Sequence, residues 1–407
     1  MGTDFFDDTI QELEFLIQQK DFSRASRRFM DLTIEFDLQE ESVTLAYSIR
    51  NTYQLVQSAN EPPDTELNTL FENSRMLVQQ LLAQKESLVS EIEKHTFPGS
   101  LVFEAKGISK RFTSGNSPFH LQPLDLNLEL GKITGVVGEN GNGKTTLLRI
   151  VAGELSSDTG SIEYPLLGLK AGSWYAIKNK IAFIPQRMKR WHGTLIDNLR
   201  FHASIHGIKD VENNKQVEYI LNRLGLSAFR DLKWSEMSSG YRLRFELAKM
   251  LMWRPKLLVL DEPLANLDIN AQQLFLQDRR YILRSWKHPL AVILSSQALH
   301  EIESVADNIV FIKRGKTLYN GSQKDFGTER TYNDYELSGT FTREQLSAVM
   351  ALIPNSKVED SGTVFLVSIP IEMNTDEFLH ILLLNKISIS YFRDISTSTR
   401  KLFQKDF

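Results

Sequence analysis

The sequence predicts an α/β core flanked by an N-terminal all-α domain and a small C-terminal α+β domain, with boundaries at 1–97, 98–328 and 329–407. Three observations predict it. Residues 1–97 carry helical periodicity and no convincing strand. From about residue 100, apolar strands alternate with helical stretches, the pattern of a mostly parallel sheet. From about residue 334 the elements follow the order β-α-β-β-α-β.

In the first segment, Phe6, Ile10, Leu13 and Ile17 recur at three- and four-residue spacing, as one helix face does. Leu67, Phe71, Val78 and Leu81 repeat the pattern in a second long helix after the break at Pro62-Pro63. Residues 1–97 hold 18 Asp and Glu against 8 Lys and Arg, so the helices present an acidic face, and such faces are most often simply solvated. HTFPGS (95–100) reads as the linker out of this domain.

The central strands are KITGVVG, KIAFIPQ, KLLVLDE and LAVILSS, followed by NIVFIKRGKTLYNGS, where two strands meet at Arg314-Gly315-Lys316. In the tail, YELSGTF reads as a strand and TREQLSAVMALI as a helix. SKVED and VFLVSI form a strand pair turning at Ser361-Gly362. NTDEFLHILLLN is then a helix and SISYFRD a last strand before a terminal helix, which is the ferredoxin-like order.

At 407 residues each part is long enough to bury a core of its own. A net charge of −4 argues against a general electrostatic grip on nucleic acid, so no nucleic-acid partner is expected. With no cysteine, disulfides, thiolate chemistry and Cys-based zinc sites are excluded. No apolar run approaches the roughly 20 residues of a spanning helix. The acidic start MGTDFFDDTI lacks a signal-peptide pattern, and a cytoplasmic chain is expected.

The stretch GVVGENGNGKTTLL matches G-x-x-x-x-G-K-S/T, with Gly138, Gly143, Lys144 and Thr145 in the fixed places. An apolar strand precedes it and a helix pattern follows. Glycines let the backbone curl until successive N–H groups face phosphate oxygens, and the helix adds its positive end. The expected ligand is a nucleotide's phosphates with Mg²⁺. Lys144 supplies a mobile charge for the β- and γ-phosphates, and the Thr145 hydroxyl ligates Mg²⁺. Asn140, Gly141, Asn142 and Thr146 complete the cradle. In LLVLDEP an apolar strand ends in Asp261, suited to hold the Mg²⁺ shell, and Glu262, placed to polarise an attacking water. The chain thus reads as a P-loop nucleotide hydrolase.

Between and after these motifs come FIPQ ending at Gln186, EMSSGYRLRFELAKML, LANLD and ILSSQ. In this order they resemble the ATP-binding-cassette (ABC) ATPases over about residues 100–325. The resemblance implies that Phe112 in SKRF stacks on adenine, and that Gln186 senses Mg²⁺ and the attacking water. It implies that Ser238 and Gly240 contact the γ-phosphate of ATP held by a second subunit, and that Asp268 communicates across that homodimer. A Ser-x-Gly stretch opening a helix offers a hydroxyl, N–H groups and a dipole to an anion.

Two departures stand out. The usual signature L-S-G-G-Q is here Met237-Ser238-Ser239-Gly240-Tyr241. Where the family carries a histidine near the γ-phosphate, this chain has Gln297, an amide that donates a hydrogen bond but cannot become cationic. Slower hydrolysis is the expectation, with His300 a surface residue one turn on.

GSQKDF resembles the end of a transporter-type cassette, and ISISYFRDISTSTRKLF is similar to the C-terminal extension of export-type ATPases with a separate permease. That implies an ATP-hydrolysing subunit of an ABC exporter, peripheral on the cytoplasmic face of the membrane. The alternative is a soluble ATPase switch acting on a protein or nucleic-acid partner, which the acidic helical domain keeps open. MKRWHGTLIDNLRFHASIHGI falls where the family receives its permease, and Trp191 there suits either that groove or core packing.

Overall fold

A computed structural model of the chain describes residues 2–58, 63–94, 99–113, 118–167, 169–170, 174–263, 285, 287–325 and 331–396. The terminal helix expected after residue 396, the linker residues 95–98 and Asp268 lie outside the described residues.

Five helices open the chain: α1 (Gly2–Gln18), α2 (Phe22–Glu35), α3 (Glu40–Ser58), α4 (Asp64–Ala83) and α5 (Lys85–Ile92). Asp21 caps α2 by accepting from Arg24 N at 3.1 Å. The periodic face of α1 is buried as a unit, with Phe6, Ile10, Leu13 and Ile17 packed among Phe29, Met30, Leu32, Ile49 and Leu77. Leu67 stays only half-buried.

Two sheets follow. β1 (Leu101–Phe112), β2 (Phe119–Glu129), β4 (Thr159–Tyr164) and β5 (Leu169–Lys170) form an antiparallel sheet in the order β2-β1-β4-β5. The second sheet contains β3 (Ile133–Val137), β6 (Ile181–Ile184), β7 (Leu257–Leu260), β8 (Ala291–Ser296), β9 (Asn308–Lys313) and β10 (Lys316–Ser322), in the order β10-β9-β3-β8-β7-β6. Its strands pair in parallel except at the β9–β10 hairpin. Strands β3, β7 and β8 are buried along their whole length, which explains their unbroken apolar runs. Helix α6 (Lys144–Val151) lies between the sheets, its Leu147, Leu148 and Val151 packed in one core with Phe103, Leu126, Val259 and Ile293. The short α7 (Trp174–Lys178) leads into β6.

On one flank sits a helical layer of α8 (Leu195–Ile205), α9 (Asp210–Arg223) and α10 (Ser239–Leu251), with Leu199, Val217, Leu221, Phe245 and Met252 as its core. Trp191 belongs there: its ring lies 4.3 Å from Phe245 and 5.5 Å from Trp234, so it packs in the core rather than facing a groove.

Beyond residue 330, strands β11 (Tyr332–Gly339), β12 (Lys357–Asp360), β13 (Phe365–Pro370) and β14 (Ile389–Asp394) form an antiparallel sheet ordered β12-β13-β11-β14. Helices at Arg343–Met350 and Thr375–Leu384 intervene, each started by a capping box, Thr342 with Gln345 and Asn374 with Glu377.

His202 on α8 sits against Trp253 beside His206, and burial, with Lys249 adding to it, pushes its imidazole down to about 4. The unfolded chain then binds a proton between that value and about 6.5 that the folded chain does not, so stability falls as pH drops through this window. In thermal melts from pH 7 to pH 4, His202→Gln shows a shallower acid loss of Tm than the parent. An unchanged acid slope contradicts the assignment.

Candidate phosphate-binding and hydrolysis site

The loop after β3 can take its shape only with glycine at two places. Gly138 passes so close to the β9 backbone that a Cβ there would stand 2.4 Å from Ile312 O. Gly143, the residue before α6, has φ 105° and would drive a Cβ to 2.7 Å from the Phe119 ring. Asn142 is buried, and its Oδ1 accepts from Arg314 N at 2.9 Å, tying the loop to the β9–β10 turn. Asn140 and Gly141 are exposed at the loop tip, and Thr146 is half-buried in the first turn of α6. Phe112, 37% exposed at the end of β1, pairs across the strand with Phe119. This places an aromatic pair beside the cradle.

Lys144 is buried, and its Nζ donates to Gly138 O at 2.7 Å and Glu139 O at 3.1 Å, with Glu262 Oε1 3.2 Å away. The ammonium is thus held inside the loop curl, where phosphate oxygens would replace carbonyls.

The two acids sit just past β7. Asp261 Oδ2 accepts from Thr145 Oγ1 at 2.8 Å, and its Oδ1 accepts from Ser295 Oγ at 2.7 Å. The same Ser295 oxygen accepts from Glu262 N at 2.9 Å. Glu262 lies at φ 49°, in the left-handed region, a conformation that costs on the order of 1–3 kcal/mol and survives only where neighbours enforce it. The Ser295 bond to its amide is such an enforcer.

Glu262 is the convergence point. Gln186 Nε2 donates to Oε2 at 2.6 Å, while Gln297 Nε2 lies 2.9 Å from Oε2 and 3.1 Å from Oε1. Only the amide nitrogen can serve a carboxylate oxygen, so the orientation of both glutamines follows from chemistry. His300 is exposed on the helix Leu299–Glu303.

Thr145 and Asp261 offer one hydroxyl and one carboxylate oxygen side by side, hard donors of the kind Mg²⁺ takes together with substrate phosphates. Among the described residues no group of three or more His, Cys, Asp or Glu could hold a metal by itself. Thr145 and Asp261 therefore fit an ion that arrives with the nucleotide, where it would screen phosphate charge. The chain's own residues supply the rest. Lys144 and the loop amides are placed where phosphates would bind, and Gln186 and Gln297 both donate to the Glu262 carboxylate, which could take up a proton.

Ser238 caps α10, its Oγ accepting from Tyr241 N at 3.5 Å. It is exposed, and among the described residues no hydrogen bond joins it to the Lys144–Glu262 cluster. Gly240 is buried in the first turn. The Tyr241 ring lies 4.1 Å from Phe229 and under the Arg244 guanidinium, so the departure from the usual amide is absorbed by packing in the helical layer.

Ser295 was not singled out from the sequence, although a serine ending an otherwise apolar buried strand was the available signal. It is fully buried. Gln297 in turn holds Glu262 without a charge of its own. An ionised donor roughly doubles the strength of such a bond. Gln297→His raises the rate of phosphate release at saturating ATP by up to about tenfold, since each 1.4 kcal/mol or so of transition-state stabilisation is about tenfold in rate. A variant no faster than the parent contradicts this role.

The sequence profile of the ABC transporter family matches residues 121–265, the stretch from β2 through both acids. An uncharacterized ABC transporter ATP-binding protein of Methanocaldococcus jannaschii is 28% identical over 242 residues, covering 59% of this chain and 86% of that protein. The probable sulfate/thiosulfate import ATP-binding protein CysA of Chlorella vulgaris is 31% identical over 229 residues, covering 56% of this chain and 93% of that one. The solved structure of cbiO1 from Clostridium perfringens, part of the ABC transporter complex cbiONQ, is 22% identical with a TM-score of 0.49, covering 56% and 92% of the two chains. With a phosphate cradle, an acid pair and a relative matched over nearly its whole length, this chain belongs to the ABC transporter family as an ATP-binding subunit and an ATPase.

Proposed function

We propose that the chain energises an ABC exporter whose permease is a separate polypeptide, by ATP-driven closure of a homodimer. Two copies sandwich two Mg²⁺-ATP molecules, each held on Lys144, Thr145 and Asp261 of one copy and met by Ser238 and Gly240 of the other. Phe112 stacks on adenine, Asp268 communicates across the dimer, and Glu262 with Gln186 and Gln297 activates water. The observation that carries the reading is that Lys144, Thr145, Gln186, Asp261 and Glu262 gather in one site, while Ser238 stays exposed at the start of α10 with no hydrogen bond to that cluster among the described residues.

The three-domain division at 97 and 328 belongs to the same reading, with the bundle and the C-terminal sheet as additions to the cassette. Among the described residues no helix is long and apolar enough to cross a membrane. In this reading a permease in trans supplies the membrane path, and the subunit sits peripherally on the cytoplasmic face. A groove of about 470 Å³ next to Gln186, lined by Arg187, Met188, Arg190, Trp234, Ser239 and Arg242, is the surface we assign to it. Export rests on the tail resemblance, whereas CysA is named for import.

Affinity purification from native membranes recovers a polytopic protein with the wild-type chain, and Glu262→Gln elutes as a dimer in saturating Mg-ATP. Recovery of soluble partners alone favours the switch reading. A Glu262→Gln protein that remains monomeric removes the sandwich.

A further inference from the structure

Helix α2 carries two buried carboxylates one turn apart, Asp31 and Glu35, and both line one seam. Asp31 Oδ1 accepts from Tyr219 Oη at 3.0 Å and from Arg223 Nε at 2.5 Å, both on α9 of the helical layer. Glu35 pairs with Arg28 at 3.2 Å and lines the same seam as Ser285, in the segment that precedes β8 of the parallel sheet. Arg50 on α3 adds a second arm, its Nε donating to Asn222 O at the end of α9 (3.1 Å) and its Nη1 to Ser26 Oγ (3.2 Å). From the sheet side, Arg254 donates to Gln216 Oε1 of α9 at 3.0 Å and meets His288 Nε2 at 3.1 Å. A cavity of about 90 Å³ lies in this seam, lined by Asp31, Glu35, Tyr219, Arg223, Arg254 and His288.

The helical bundle therefore does more than lean on the cassette. It grips the helical layer through Asp31 and Arg50, with Asp31 on one helix whose other face is locked by Ala25, Phe29 and Leu32. Within the helical layer, Val217, Ile220 and Leu221 of α9 share a core with Phe245 and Ala248 of α10, and α10 opens at Ser238. Close-packed cores transmit a displacement rather than absorb it.

We propose that the N-terminal bundle is a built-in brace that fixes the helical layer, and with it Ser238, relative to the phosphate site, and that Asp31 is the positioning residue through which it acts. The proposal rests on the sandwich reading for its consequence, though not for its geometry. Burying Asp31 and Arg223 together is tolerable because they are paired, and neutralising one leaves the other uncompensated. Loosening should therefore concentrate at this contact.

Hydrogen exchange on the full chain without nucleotide tests it with two variants. Asp31→Asn keeps the shape and removes the charge, and Tyr219→Phe removes one hydrogen bond. Amide exchange across α9 and the first turn of α10 rises about tenfold in Asp31→Asn and less in Tyr219→Phe, while α1 and α4 stay protected. In a Glu262→Gln background, Asp31→Asn also shifts Mg-ATP-driven dimerisation to higher ATP concentration. Exchange that rises only in the bundle, or nowhere, overturns the brace. If Glu262→Gln alone stays monomeric the sandwich falls, and the exchange pattern at α10 still decides the brace.

Discussion

The two hydroxyl contacts on Asp261 organise everything around them. Thr145 comes from the start of α6 and Ser295 from the end of β8, so one carboxylate joins the phosphate loop, the acid strand and its neighbour. Ser295 also holds the Glu262 amide, and that bond keeps the next residue in a backbone conformation few side chains adopt. Glu262 is turned by this means toward Lys144, Gln186 and Gln297. A water molecule in place of Ser295 would leave a buried acid pair with one fixed partner fewer, and buried charges demand their partners.

Much of this was legible in the sequence, because the chemistry demands particular residues at particular spacings. Gly138, Gly143, Lys144 and Thr145 announce a loop whose backbone must curl, and the structure brings Asp261 against Thr145. The strands KLLVLDE and LAVILSS were visible as apolar runs because both of their faces are covered. The α1 periodicity was visible because a whole stripe is buried.

Other features were hidden for physical reasons. The antiparallel sheet of β1, β2, β4 and β5 was not foreseen, although Leu121, Leu124, Leu126 and Leu128 are buried along β2. Bulges at Ala105–Ile108 and Ile108–Lys110 shift its register and blur the simple alternation that marks a strand. Trp191 suited groove and core equally from sequence alone, and edge-to-face packing on Trp234 decides for the core. The seam between the bundle and α9 was illegible because Asp31 and Arg223 lie far apart in the chain, and nothing local distinguishes a buried carboxylate from a solvated one.

Gln297 supplies a donor without a charge, so among the described residues that bond or pair with Glu262 only Lys144 brings positive charge. In the proposed reading Lys144 then serves both the phosphates and the base that acts on them. Calorimetric titration of ATP, with and without Mg²⁺, into wild-type and Lys144→Ala protein measures this double dependence most directly. Loss of ATP affinity by well over about tenfold is the expected result, as a buried charge leaves the cradle. Undiminished binding by Lys144→Ala would contradict the site described here.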